Sequence, residues 1–204
     1  MVDKKYKSRI MVFIDNSNIF KRLKDLNKVD KKTWPKKYNP YELAKKLTGD
    51  RELVGIKFYC APPPSYLQTQ GQKDQSIYWS QIDYYEAVKA LPLVELKQGY
   101  LSGSRSNLVE KNVDTQIVAD MILLANQNQY DTAILCSNDG DYISGVLGAK
   151  SLGKKVEVMA FKGMASLNLM AEADLTRRAR PIFFQELNCE NEKLRRHSIT
   201  DKSD

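Results

Sequence analysis

Arg9-Ile10-Met11-Val12-Phe13-Ile14 runs directly into Asp15-Asn16, and Thr132-Ala133-Ile134-Leu135-Cys136 runs directly into Ser137-Asn138-Asp139. Each is a short apolar run, rich in β-branched or aromatic residues and cut off by turn formers, which is the pattern of a buried strand. Working outward, Leu53–Cys60 reads as another strand, stopped by Ala61-Pro62-Pro63-Pro64, and Leu93–Tyr100 and Lys155–Ala160 as two more. Helices fall between them. Asn39 caps one that Pro40 opens and that runs through Leu47. Asp74 caps a long one through Ala90, with Tyr78, Ile82 and Tyr85 at helical spacing. Asp114–Gln127 and Tyr142–Leu152, the latter closed by Gly153, are two others, whereas Ser65–Lys73 and the Gly/Ser/Arg stretch after Tyr100 read as loops. Strands alternating with helices predict α/β architecture: a three-layer, Rossmann-like domain around a mainly parallel central sheet. A chain of 204 residues suffices for one such domain.

In sheets of this kind ligands gather at the carboxyl ends of the strands, where the strand order reverses. That rule sorts the aspartates. Asp15 ends the first strand, Asp139 and Asp141 follow Thr132–Cys136, and Asp114 lies in the first turn of a helix whose N-terminus faces the same edge. Taken singly, each has a plainer reading: a turn residue, a helix N-terminal charge, a tight turn. Together, two bare charges at 4–6 Å repel by about 3–4 kcal/mol at an effective dielectric near 20, so three or four must protonate, splay apart or hold a cation. Oxygen ligands without His or Cys favour Mg²⁺ or Mn²⁺, and such an ion, with a phosphate supplied by the substrate, implies metal-assisted phosphodiester hydrolysis. Asp120, six residues past Asp114, is about 120° round the helix and ~9 Å along it, which leaves it a supporting role. Asp131 reads as a turn residue at a strand entry.

Charge points the same way. The chain carries a net +7, and its first 50 residues hold fourteen Lys or Arg against six acids, while residues 112–149 hold no Lys or Arg at all. A basic surface attracts a polyanion, and an acidic stretch can hold a cation against it; solvated lysine faces explain the composition equally well.

The single histidine, His197, lies in a polar tail, which excludes Ser or Cys hydrolases that need a core imidazole and zinc sites built on two histidines. Three cysteines, Cys60, Cys136 and Cys189, with no CxxC spacing argue against a disulfide framework and for a reducing, cytoplasmic compartment. The apolar run Ile10–Ile14 is far too short for a membrane span or a signal-peptide core.

Phe13-Ile14-Asp15-Asn16-Ser17-Asn18 resembles the "FIDxxN" opening of NYN-domain proteins of the LabA-like, PIN-like nuclease group. Lys111-Asn112-Val113-Asp114, running on to Ala119-Asp120-Met121, is similar to their "KGVDVxLAxDM" segment, and Ser137-Asn138-Asp139-Gly140-Asp141-Tyr142 to "SGDxDF". Gly153-Lys154-Lys155-Val156 matches "GKxV", and Ala173-Asp174 resembles the "AD" before a last strand. The resemblance covers roughly residues 9–185. It implies a PIN-like fold with residues 1–188 as the domain and 189–204 as a charged tail, an acidic pocket for Mg²⁺ or Mn²⁺, and ribonuclease activity. Asp15, Asp114, Asp139 and Asp141 match the acidic set, expected to be both catalytic and metal-binding; Asn18 matches the polar residue beside the first, and Asp120 a further acidic position. Asn112 and Asn138 stand where Gly is usual or common, and Tyr142 where Phe is common. No carboxylate is missing.

Ser17, Ser137 and Asn138 flank these aspartates and could bind a phosphate, as could Lys111 and Arg105, although turn satisfaction explains the first three equally well. The stretch Lys21–Lys37, with Trp34 and Tyr38 interleaved, could hold single-stranded RNA by charge and stacking, or be a solvated loop that packs its Trp on the domain. Tyr66, Tyr78, Trp79, Tyr84 and Tyr85 read mainly as packing residues. The expectation is a metal-dependent ribonuclease acting on single-stranded RNA, with a non-catalytic nucleic-acid-binding module as the alternative. An aspartyl phosphatase would need a second Asp two residues after the first, where Ser17 stands. The tail after Asn188 could serve a homodimer contact.

Overall fold

The computed structural model describes residues 7–29, 34–35 and 37–184. Cys189, His197, the charged tail and Lys31, Lys32 and Lys36 of the basic stretch lie outside them.

Six parallel strands form the central sheet in the order β3-β2-β1-β6-β7-β8. They are β1 (Arg9–Asp15), β2 (Glu52–Cys60), β3 (Val94–Gln98), β6 (Thr132–Cys136), β7 (Lys155–Ala160) and β8 (Leu175–Arg178). A separate antiparallel pair, β4 (Tyr100–Ser102) and β5 (Val109–Lys111), forms a small hairpin beside them. The order reverses between β1 and β6, and it is at the carboxyl ends of such a pair that sheets of this kind bind ligands.

Alternation along β1 builds a core on each face of the sheet. Ile10, Val12 and Ile14 face one cluster, with α1 (Asn16–Val29), α2 (Pro40–Thr48) and α3 (Gln72–Lys89). Met11 and Phe13 face the other, with α4 (Val113–Asn126), α5 (Ile143–Ser151) and α6 (Leu167–Glu172). Each fully buried side chain of this size contributes roughly 1.5–3 kcal/mol. The same alternation turns Asp15 toward the α4 side.

Several boundaries differ from the sequence reading, each for a local reason. Asn39 does cap α2, accepting from the backbone N–H of Tyr41 and Glu42. Asp74 does not cap α3; Gly71 starts that helix and Asp74 sits in its first turn. The expected strand Leu93–Tyr100 breaks at Gly99, where an added Cβ would stand 2.4 Å from the Lys111 carbonyl oxygen, so the chain leaves the sheet there and enters the hairpin. The largest miss is α1. Ile19, Leu23 and Leu26 recur at helical spacing and bury against the sheet, while Lys21, Lys24 and Lys28 stand exposed. The basic stretch is therefore helical through Val29, not a loop. Its aromatics are packing residues: Trp34 lies 5.5 Å from Phe161 and 6.1 Å from Phe184 between ring centroids, and Tyr38 is buried. Tyr38 is thus closed to a nucleobase, while Trp34 is half-buried against the two Phe rings. Tyr84 and Tyr85 are buried as expected, whereas Trp79 is 53% exposed.

Candidate active site

Asp15, at the end of β1, is only 4% exposed. It serves first as a local structural group: its Oδ1 accepts the Asn18 backbone N–H at 2.9 Å, capping α1. Its Oδ2 accepts from the hydroxyls of Tyr142 (2.8 Å) and Ser137 (3.1 Å). Burial dominates its acidity and, opposed by those hydrogen bonds and reinforced by the Asp114 charge, raises its pKa to about 6.

Asp114, in the first turn of α4, reaches the same place from the other side, with its Oδ1 2.7 Å from the Tyr142 hydroxyl. One phenol oxygen thus spans two carboxylates. Both contacts act on Tyr142 in turn: burial, followed by the Asp15 and Asp114 charges, holds its hydroxyl far above the ordinary phenol range. What delivers Asp114 is the turn before it. Asn112 is left-handed at φ 72°, a conformation that Asn and Gly tolerate best, which accounts for Asn where Gly is usual.

Asp139 and Asp141 stand one step away. The Asp139 backbone N–H donates to Ser137 Oγ at 3.3 Å, and its carboxylate caps the short 3-10 turn Gly140–Tyr142 by accepting the Asp141 N–H at 3.1 Å. Gly140 is needed here because a Cβ would stand 2.9 Å from Ser166 Oγ. Asp141 is exposed. The structure thus joins Asp15 to Asp114 through Tyr142, and to the Asp139 backbone through Ser137. Among the described residues, no three acidic, His or Cys side chains form a ready-made metal-holding group.

The substrate-facing candidates divide. Asn138 is committed to the fold: its backbone and side-chain N–H groups donate to Asn18 Oδ1 at 3.2 and 2.9 Å, and its Oδ1 accepts from Phe161 N–H at 2.8 Å. Arg105 stacks over the Tyr66 ring at 4.8 Å and donates to Gln70, pinning the hairpin to the 3-10 turn Ser65–Thr69. Lys111 is exposed. Ser17 donates at 2.6 Å to Glu110, a half-buried β5 carboxylate that sequence reasoning did not single out. Burial raises the Glu110 pKa, the Ser17 hydrogen bond opposes this and the Asp114 charge adds to it. The only sequence signal for Glu110 was its place just ahead of Lys111-Asn112-Val113-Asp114. Asp120 belongs elsewhere, held by the Tyr59 hydroxyl at 2.6 Å and Lys97 Nζ at 2.7 Å.

A parallel sheet between two helical layers, with acidic residues at its reversal point, defines a three-layer PIN-like α/β domain. The chain belongs to the NYN domain family, whose profile matches residues 9–178, and is a nuclease-like module. It is 32% identical over 93 residues to the uncharacterized protein y4oD of Sinorhizobium fredii, a match covering 44% of this chain and 42% of that relative. The chain thus spans less than half the length of that relative. In fold it is similar to VPA0982 of Vibrio parahaemolyticus, a crystal structure of unknown function, at a TM-score of 0.60 and 20% identity over 88% of this chain and 97% of that one. Among the described residues no helix is long and apolar enough to cross a membrane.

Proposed function

We propose that this chain is a divalent-metal-dependent ribonuclease that hydrolyses phosphodiester bonds in single-stranded RNA. The observation that carries this reading is the pair Asp15 and Asp114, drawn to one phenol oxygen at the carboxyl ends of β1 and β6. The donor set is all oxygen, which suits Mg²⁺ or Mn²⁺; Mg²⁺ typically uses one or two carboxylates, water and substrate phosphate instead of a closed protein cage. Asp15 and Asp114 would hold the ion, with Asp139 and Asp141 reaching in from the neighbouring turn. When bound, the ion supplies an acidified water and offsets charge on the leaving oxygen.

The chain's own groups do the rest. Ser137 and the N-terminus of α1 keep the Asp15 carboxylate fixed in its buried position, so no reorganisation is needed as charge develops. Ser17 donates a hydrogen bond to Glu110 beside the Asp15–Asp114 pair; its hydroxyl would turn to a phosphate oxygen, leaving the Glu110 carboxylate to accept a proton from the attacking water. The exposed stripe Lys21, Lys24 and Lys28 along α1, with Lys111 on the hairpin, favours a polyanion running past the site. The buried free thiols Cys60 and Cys136 are in keeping with a reducing, cytoplasmic setting.

The test is cleavage of a labelled single-stranded RNA by the full chain in Mg²⁺ or Mn²⁺. We expect turnover that EDTA abolishes and that Asp114→Asn lowers by at least on the order of 100-fold. Binding without cleavage in either metal would instead establish a nucleic-acid-binding module.

A further inference from the structure

Tyr142 is fully buried, and its ring completes the core between α4 and α5. A ring alone would fill that space. The hydroxyl does something the core does not require: it stands 2.8 Å from Asp15 Oδ2 and 2.7 Å from Asp114 Oδ1, two groups from elements ninety-nine positions apart in the chain. A phenol has one proton to give. It can satisfy either oxygen fully and the other only by alternation, so it draws both carboxylates toward one point without neutralising the pair. Ser137 adds a second donor to the same Asp15 oxygen. The remaining capacity is then well defined: among the described residues Asp114 Oδ2 accepts no hydrogen bond, and Asp15 Oδ1 accepts only the Asn18 N–H.

We propose that the Tyr142 hydroxyl is a positioning residue for the cation site: it fixes Asp15 and Asp114 at the separation and orientation in which their remaining lone pairs serve one divalent ion. This rests on the metal-dependent reading above and adds to it the group that pre-sets its two main ligands. Hydrogen-bond partners behind metal-binding carboxylates characteristically change metal affinity by about 10- to 100-fold when removed. The role belongs to the oxygen and not the ring, so Tyr142→Phe separates it from simple packing.

The experiment titrates the full chain with Mn²⁺ alone and reads free ion by electron paramagnetic resonance, with no RNA present. Wild type should bind, and Tyr142→Phe should bind about 10- to 100-fold more weakly while retaining a cooperative melt in EDTA. Ser137→Ala removes one of two hydroxyl donors from Asp15 and the acceptor of the Asp139 N–H, leaves the Asp114 contact intact, and should weaken Mn²⁺ binding less than Tyr142→Phe. Unchanged or tighter binding by Tyr142→Phe, or equal losses in both variants, overturns the positioning role while leaving the metal-dependent reading intact. Failure of the wild type itself to bind Mn²⁺ overturns both.

Discussion

Asn18 and Asn138 face each other across the reversal point of the sheet, the single carbonyl oxygen of the first accepting two N–H groups of the second. This contact ties α1 to the turn after β6. Asn18→Ala leaves both donors of the nearly buried Asn138 unpaired, at an expected cost of about 1–3 kcal/mol. Urea denaturation checks it. An unchanged midpoint would mean that Asn18 is held there for a ligand and not for the fold.

The left-handed Asn112 predicts a graded series. Asn112→Gly should leave stability within about 0.5 kcal/mol of wild type or raise it slightly, whereas Asn112→Val should cost about 1–2 kcal/mol and misplace Asp114. Thermal melts and RNA cleavage should fall together for Val and stay together for Gly.

Gly99 makes a harder prediction. A methyl group there would meet the Lys111 carbonyl at 2.4 Å and Val113 Cγ2 at 2.8 Å, on the segment that leads into Asp114. Gly99→Ala should destabilise the chain by about 1–3 kcal/mol and lower kcat more than KM, measured with the same RNA.

The buried acid Asp15 sets a pH dependence whose sign is unusual for a carboxylate. Its pKa stands at about 6 in the folded chain against an ordinary 3.8, so between those values the folded state keeps a proton that the unfolded chain has released. Stability from this group therefore falls as pH rises through that window, by about 3 kcal/mol, and is level above it. Asp15→Asn lacks the effect. In denaturant titrations with EDTA the variant should gain on wild type by that amount between about pH 4 and pH 7, and Mg²⁺ should narrow the gap at neutral pH.

Ser17 and Glu110 are expected to act as one unit. Their hydrogen bond predicts that Ser17→Ala with Glu110→Ala costs no more kcat/KM than the worse single variant, a coupling of about 1 kcal/mol or more. Additive losses would show that the two side chains serve separate purposes.

The strands that frame the crevice were legible because β1 and β6 are apolar runs with abrupt polar ends, and the rule about reversal points then placed Asp15 and Ser137–Asp141 at one rim. Helix α1 was not legible from Asn16-Ser17-Asn18, three residues that favour turns, since its helical stripe of Ile19, Leu23 and Leu26 is diluted by lysines. Its cap, Asp15, is local, three residues before Asn18, but the same residue also ends β1, which hides the helix start behind a strand end. Glu110 was missed because its segment has the composition of a loop, and pairing with Leu101 in the hairpin is what aims it inward. Tyr142 was noted only as a departure from Phe. Nothing in sequence spacing reveals that its one extra oxygen spans two aspartates.

The reversal of strand order between β1 and β6 has a consequence for when the crevice exists at all. The β1 wing of the sheet supplies Asp15, the β6 wing leads into Ser137 and Tyr142, and α4, packed on β1, β2 and α5, brings Asp114 to the seam. Neither wing owns the seam. A partly assembled chain therefore has loose carboxylates but no place to gather them, and the proposed cation site takes shape only once both wings are docked.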